Sequence, residues 1–208
     1  MSAFSLINTN RWNRIRYTFY APGYDMAARI FSKSRNQSIS SLEIQDNDEV
    51  LIIGAGTGLD LELLPGDCEI TATDITPSMI ERLKKRNITL NRNLSATVMD
   101  GQALTFADNS FDKVILHLIL AVIPNPETCI CEAERVLKPG GEIAVFDKFV
   151  RKNTKASFVR RAANVLTNAM FSDITRDFES IVQQSHLKVV SDVDADFNGN
   201  FRLIKLSK

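Results

Sequence analysis

A glycine-rich segment, Gly54-Ala55-Gly56-Thr57-Gly58-Leu59-Asp60, follows directly on the apolar run Val50-Leu51-Ile52-Ile53. Glycines at such a junction permit a sharp turn out of a strand and let a ligand lie against backbone amides at the start of a helix. Asp74 closes a second apolar run 20 residues beyond Gly54, where a carboxylate can accept two hydrogen bonds from a ribose diol. Asp100 opens Asp100-Gly101-Gln102 after a third run, and His117 ends a fourth, where an imidazole is the best-placed general base. Alone, the glycine loop fits a tight packing turn, a dinucleotide site or another nucleoside site. The dinucleotide fingerprint wants its third glycine one place later, where Leu59 stands. Asp74 and Asp100 read singly as a helix cap and a loop brace, but jointly, each after a strand, they point to a nucleoside ligand.

These residues need a scaffold that brings strand ends together, and the chain alternates accordingly. The pattern predicts strands at 50–53 and 69–73, with a short helical stretch between them ending at Pro65, and a helix over 76–86 capped by Thr76 with Pro77 in its first turn. Strands over 96–99 and 113–116, a helix over 126–137 stopped by Pro139-Gly140-Gly141, and a strand over 142–146 follow. Two final runs, 187–193 and 201–206, flank Asn198-Gly199-Asn200 and predict an antiparallel hairpin. The expected architecture is α/β: a Rossmann-like doubly wound sheet of about seven strands, mostly parallel with an antiparallel C-terminal hairpin, and helices on both faces. Such a sheet binds ligands at the carboxyl ends of its strands, where the glycine loop, Asp74, Asp100 and His117 all fall.

At 208 residues the chain suits one well-buried domain, and 44% hydrophobic with 24% charged residues excludes a disordered or fibrous chain. Cys68, Cys129 and Cys131 lack metal-ligand spacing, so no metal is expected, and they read as small buried hydrophobes. The uncharged stretch from Val114 to Pro126 is too short to span a bilayer, and the N-terminus lacks the apolar core of a secretory signal, so a reducing cytoplasm is the expected compartment. A net charge of zero hides an asymmetry. Residues 1–24 carry Arg11, Arg14 and Arg16, and residues 148–172 carry Lys148, Arg151, Lys152, Lys155, Arg160 and Arg161, with no acid in either segment. Both segments also hold helical apolar stripes: Phe4, Ile7, Trp12, Ile15 and Phe19 in one, Phe158, Ala162, Val165, Leu166 and Ala169 in the other. Basic amphipathic helices of this kind either roof a pocket, apolar face inward, or lie on an anionic membrane.

Residues 49–146 resemble the class I S-adenosylmethionine-dependent methyltransferases in the order and spacing of several motifs. Val50 to Gly58 looks like the family's first motif, Thr73-Asp74-Ile75-Thr76-Pro77-Ser78-Met79 like its ribose-binding segment, and Asp100-Gly101-Gln102-Ala103-Leu104-Thr105-Phe106 like its adenine-binding stretch; Leu137-Lys138-Pro139-Gly140-Gly141 also matches. The resemblance implies S-adenosylmethionine as donor and S-adenosylhomocysteine as product. It also implies a donor site of Gly54, Ala55, Gly56, Thr57, Gly58, Asp74, Ile75, Met79, Asp100, Gly101, Gln102 and His117. Two positions depart from the pattern: Ile52 stands where the family commonly has a carboxylate supporting the loop, and Gln102 where it often has an acid.

All three tyrosines lie in Tyr17-Thr18-Phe19-Tyr20-Ala21-Pro22-Gly23-Tyr24-Asp25. That segment resembles the N-terminal signature of bacterial phospholipid N-methyltransferases and related small-molecule methyltransferases. By that likeness Tyr17 and Tyr24 belong to a flap over the donor and join His117 as candidate catalytic groups. The implied organisation is one domain, 1–208: a helical cap (1–45), a donor-binding core (46–147), a helical lid (148–185) and a strand hairpin (186–208). The implied acceptor is the amine of a phospholipid headgroup or similar amphiphile, with peripheral contact to anionic membrane through residues 4–20 and 155–171 at the inner membrane surface. The competing expectations are a soluble small-molecule acceptor, a nicotinamide-dependent reductase and a non-catalytic donor-binding protein. Nucleic acid is disfavoured because the basic segments carry no base-reading motif.

Overall fold

The computed structural model describes residues 8–150, 175–195 and 200–208, with the side chains of residues 20–24 and 26–28 outside that description. Helices α1 (Asn10–Ala28) and α2 (Ser32–Ser40) precede strand β1 (Glu49–Ile53). Then come β2 (Glu69–Asp74), α3 (Pro77–Leu90), β3 (Leu94–Val98), β4 (Phe111–His117), α4 (Pro126–Val136) and β5 (Leu137–Lys148), followed by α5 (Phe178–Val182), β6 (Lys188–Ala195) and β7 (Phe201–Ser207). The strands form one sheet in the order β3-β2-β1-β4-β5-β7-β6. Pairing is parallel from β3 through β5 and antiparallel at β5–β7 and β7–β6. This is the seven-stranded Rossmann-like sheet that the sequence predicts. Strand order reverses at β1, so the crevice between the carboxyl ends of β1 and β4 is the topological switch point where such sheets take their ligands.

Successive side chains of a strand point to opposite faces, and the central strands are apolar on both. Leu51 and Ile53 of β1 pack with Val114 and Leu116 of β4 beneath Cys129, Ile130 and Ala133 of α4 and Phe178 and Ile181 of α5. Val50 and Ile52 face the other way, with Ile115 and Ala144, against Ile39 and Leu42 at the end of α2 and Leu83 of α3. Ile52, in the place of the family's carboxylate, is therefore a core residue, 1% exposed.

Several boundaries differ from the sequence expectation. Between β1 and β2 there is only a 3-10 turn at Leu59–Glu62, because Pro65 biases the chain just before it away from helix. Helix α3 runs four residues past Arg86, to Leu90, where Asn91 terminates it in a left-handed conformation (φ 51°). Pro139-Gly140-Gly141 does not separate α4 from a strand: β5 starts at Leu137 and carries the three residues as an irregularity between the pairs Phe111–Leu137 and Lys113–Glu142. Gly141 is needed there, since a Cβ would stand 2.8 Å from the Asp112 carbonyl oxygen. Cys68 and Cys129 are buried but Cys131 is half-buried, and all three are free. The apolar stripe over 158–169, the basic residues from Arg151 to Arg161, Phe4, Ile7 and the turn at Asn198-Gly199 lie outside the described residues.

Candidate active site

Two loops meet over the switch point. Gly54 leaves β1 with φ +74°, and its N–H and that of Ala55 both donate to the Thr73 carbonyl, at 2.8 and 2.9 Å. A Cβ on Gly54 would lie 2.8 Å from Ile119 Cδ1, so only glycine lets the loop after β4 close down on it. That second loop, residues 118–123, begins with Leu118 at φ +58°, a left-handed conformation that a bulky side chain holds only at a cost of roughly 1–2 kcal/mol. Several contacts from outside the loop keep it in place. The Leu118 N–H donates to the Phe146 carbonyl (2.8 Å), the Ala121 N–H to Asp147 Oδ2 (2.9 Å), and Arg176 and Asn13 donate to the carbonyls of Ile123 (2.6 Å) and Val122 (3.0 Å).

Between the loops lies a concave pocket, bounded by the carboxyl ends of β1, β2 and β4 and by one face of α1. Of the residues singled out from the sequence, Gly54, Gly56, Asp74 and Ile75 line it, as do Met79, Asp100, Gly101, His117 and Tyr17. Ala55, Thr57, Gly58 and Gln102 stand behind the wall, and the side chain of Tyr24 lies outside the described residues.

Asp74 joins the glycine loop to the start of α3. Its Oδ2 accepts the Gly56 N–H (2.9 Å) and its Oδ1 the Thr76 N–H (2.8 Å), so the carboxylate is held at the pocket edge. Burial pushes its carboxyl above the ordinary carboxylate range, and the two amides act against that push. Asp100 is more fully engaged, with Oδ1 accepting from the backbone and side chain of Gln102 (3.0 and 2.9 Å) and Oδ2 from Asn10 Nδ2 of α1 (2.5 Å). Gln102 Oε1 accepts the Asn125 N–H, so this side chain braces Asp100 and the entry to α4.

His117 is 3% exposed and both its ring nitrogens are occupied. Nδ1 lies 2.9 Å from Asp60 Oδ1 and Nε2 3.0 Å from Ser38 Oγ. With a carboxylate at Nδ1 the proton sits on that nitrogen, and Nε2 accepts from the serine hydroxyl. Asp60 also receives Arg35 Nη1 at 2.9 Å. Against a strong desolvation penalty, Arg35 and His117 hold its carboxyl far below the ordinary range. The Ser38–His117–Asp60 chain has the connectivity of a hydrolytic triad, but Ser38 is 3% exposed and outside the pocket wall. It ties α2 to the turn after the glycine loop and to the end of β4. In this arrangement His117 has no lone pair free for a substrate.

Helix α1 is turned opposite to the roofing arrangement, in which the apolar face points inward. Its inward face is polar: Asn10, Asn13 and Tyr17, at helical spacing, line the pocket. Arg16 is 3% exposed, its guanidinium 5.1 Å from the Tyr17 ring centre, and so takes no part in an exposed basic face. Trp12, Ile15 and Phe19 face outward at 41%, 42% and 77% exposure, beside exposed Arg11 and Arg14. No helix among the described residues is long and apolar enough to cross a membrane.

Sequence reasoning missed Asn10, Asn13, Arg35, Ser38 and the partnership of Asp60 with His117. The spacing i, i+3, i+7 of Asn10, Asn13 and Tyr17 is the one signal that would have found part of the set.

Comparison with known proteins agrees with this geometry. Residues 51–145 match a family model described as a methyltransferase domain. The chain is 25% identical over 187 residues to a phosphatidylethanolamine N-methyltransferase of Cereibacter sphaeroides, covering 89% of this chain and 92% of that protein. It is 31% identical over 127 residues to a demethylmenaquinone methyltransferase of Tropheryma whipplei, covering 61% of this chain and about half of that one (52%). A SAM-dependent methyltransferase structure from Aquifex aeolicus superposes with a TM-score of 0.60 at 14% identity, over 83% of this chain and 88% of that one, and so shares the fold. Residues 51–145 are a methyltransferase domain, and the chain that carries it resembles the class I S-adenosylmethionine-dependent methyltransferases in its relatives and its fold.

Proposed function

We propose that this enzyme transfers the methyl group of S-adenosylmethionine to the amine of a phospholipid headgroup, working at an anionic membrane surface. A sulfonium methyl is already activated toward nucleophiles, so the protein must bind, align and exclude water. The pocket fits such a donor. Asp74 presents a carboxylate to the ribose diol, Ile75 and Met79 offer apolar faces to an adenine, Asp100 and Gly101 stand at its polar edge, and Gly54 and Gly56 admit the amino acid end to bare backbone. His117, with both nitrogens engaged, supports the glycine loop through Asp60 rather than taking a proton.

The observation that carries the lipid reading is the inversion of α1. An apolar stripe of Trp12, Ile15 and Phe19 beside Arg11 and Arg14 is the composition of an interfacial helix, and its polar back forms the pocket wall. A headgroup entering past that helix arrives at the pocket without leaving the interface. The relative aligned over nearly its whole length is named for the same acceptor class.

The test is transfer of labelled methyl to vesicles of phosphatidylethanolamine mixed with phosphatidylglycerol, beside soluble ethanolamine and phosphoethanolamine. Labelled phospholipid is expected, together with retention on the vesicles at low salt that weakens at high salt. Label confined to the soluble amines overturns the lipid acceptor. Failure of anionic vesicles either to retain the protein or to stimulate turnover overturns the membrane contact.

A further inference from the structure

We infer that the side-chain carbonyl of Asn13 holds the N–H of the acceptor amine and aims its lone pair at the methyl group, an inference that rests on the amine acceptor proposed above. Asn13 is 4% exposed and lines the pocket from α1. Its Nδ2 donates to Asn8 Oδ1 at 3.1 Å and to the Val122 carbonyl at 3.0 Å. The Val122 carbonyl can only accept, so the orientation of the Asn13 amide is fixed: turning it over would set oxygen against oxygen. Oδ1 is then left over. It is shut off from solvent and has no hydrogen-bond partner among the described residues. A buried acceptor left in this state costs roughly 1–3 kcal/mol, a cost relieved when an occupant of the pocket brings a donor.

The surroundings favour the acceptor substrate as that occupant. Asp74 and Asp100 serve the nucleoside edge of the pocket, whereas Asn13 is tied to Val122, in the same pocket-lining loop as Leu118 and Ile119, with Tyr17 one helical turn further along α1. Beside that apolar loop the Asn13 carbonyl is a lone acceptor dipole suited to an amine. The neutral amine's lone pair forms the new N–C bond while the C–S pair passes to sulfur, leaving a thioether, and the nitrogen becomes a cation that later gives one proton to water. The amide oxygen is too weak a base to take that proton. It orients the N–H before transfer and faces the growing positive charge during it.

Primary and N-methyl amines carry an N–H when their lone pair is free, and an N,N-dimethyl amine carries none. The experiment therefore compares wild type with Asn13→Leu on phosphatidylethanolamine and its N-methyl and N,N-dimethyl derivatives in phosphatidylglycerol vesicles, with S-adenosylhomocysteine affinity measured alongside. Loss of one neutral hydrogen bond predicts a fall of about tenfold in kcat/KM for the first two. The N,N-dimethyl substrate and product affinity should change less than about threefold. An equal loss on all three amines makes Asn13 merely structural and overturns the inference, as does a loss of product affinity with no effect on the amines. Asn13→Ser enters the same comparison, and is the variant that decides if the leucine does not fold. Wild type inactive on all three amines overturns the phospholipid reading and the Asn13 role with it. Wild type active with a flat variant pattern overturns the Asn13 role alone.

Discussion

Asp60 and Asp147 are equally buried, at 2% and 1% exposure, and each steadies a loop that borders the pocket, yet their carboxyls depart from the ordinary value in opposite directions. Asp60 has the Arg35 guanidinium at 2.9 Å to compensate its charge and a hydrogen bond from His117 at 2.9 Å, and its carboxyl is held far down. Burial pushes the Asp147 carboxyl up to about 6, because the backbone amides of Ala121 and Lys148, aided weakly by the charges of Lys148 and Arg176, do not offset its desolvation. Amide dipoles can orient a buried carboxylate; a nearby cation is what keeps it charged. The glycine-loop side of the site is thus built on a fixed anion, and the side facing the loop after β4 on a group that titrates near neutrality.

The largest effect expected from breaking this comparison is on stability. Asp60→Leu leaves the Arg35 guanidinium, 5% exposed, without its counter-charge, and should cost about 3–5 kcal/mol in urea unfolding. Asp60→Leu combined with Arg35→Met should be less destabilised than Asp60→Leu alone, since the stranded cation is gone. If the two changes are simply additive, the ion pair does not govern this region.

The pH dependence should differ next. Asp147 has a folded value of about 6 against an ordinary 3.8, so its ionisation is easier in the unfolded chain, and its contribution falls as pH rises between those values. Relative to Asp147→Asn, wild type should lose about 2 kcal/mol from pH 4 to pH 7. Any structural cost of the asparagine is constant across that range and drops out of the difference. Asp60 has the opposite sign: its stabilisation is complete above pH 4 and is lost only in strong acid. A stability difference for Asp147→Asn that is flat with pH would show that Asp147 titrates normally.

Neither aspartate's role was legible in the sequence, although much around them was. The glycine loop, Asp74 and Asp100 stand next to strands whose apolar runs mark them, so local pattern and site coincide. Asp60 follows the loop closely, but its partners come from 25 and 57 residues away, and Arg35 sits in the polar stretch Ser32–Ser40, which reads as a solvated helix. Only the fold brings them together. For α1 the sequence displayed both stripes without saying which faces inward, because periodicity sets the angle between residues and not their orientation toward the core. The helical lid expected over 148–185 falls largely on residues outside those described, and the basic charge it carries there adds nothing to the comparison.

A smaller effect distinguishes two roles for His117. A general base contributes about 10²–10⁴ to rate, so if His117 is the base, His117→Gln should abolish turnover with stability nearly intact. If it braces Asp60, turnover should fall less than about tenfold while unfolding free energy drops by roughly 2 kcal/mol from two lost hydrogen bonds.

The smallest expected change comes from Ser38→Ala, which removes only the hydroxyl facing His117 Nε2. One buried acceptor loses its donor, at a cost of about 1 kcal/mol, and kcat should stay within about twofold of wild type. The substitution probes what separates the two sites. Asp60 is held through a chain of side chains that can be shortened link by link, from Ser38 through His117 to Arg35, each deletion costing more as it approaches the carboxylate. Hydrogen bonds to Asp147 come from main-chain amides, which no side-chain substitution removes. A Ser38→Ala cost as large as that of Asp60→Leu would mean that α2 docks through the serine itself, and the graded chain would be the wrong description.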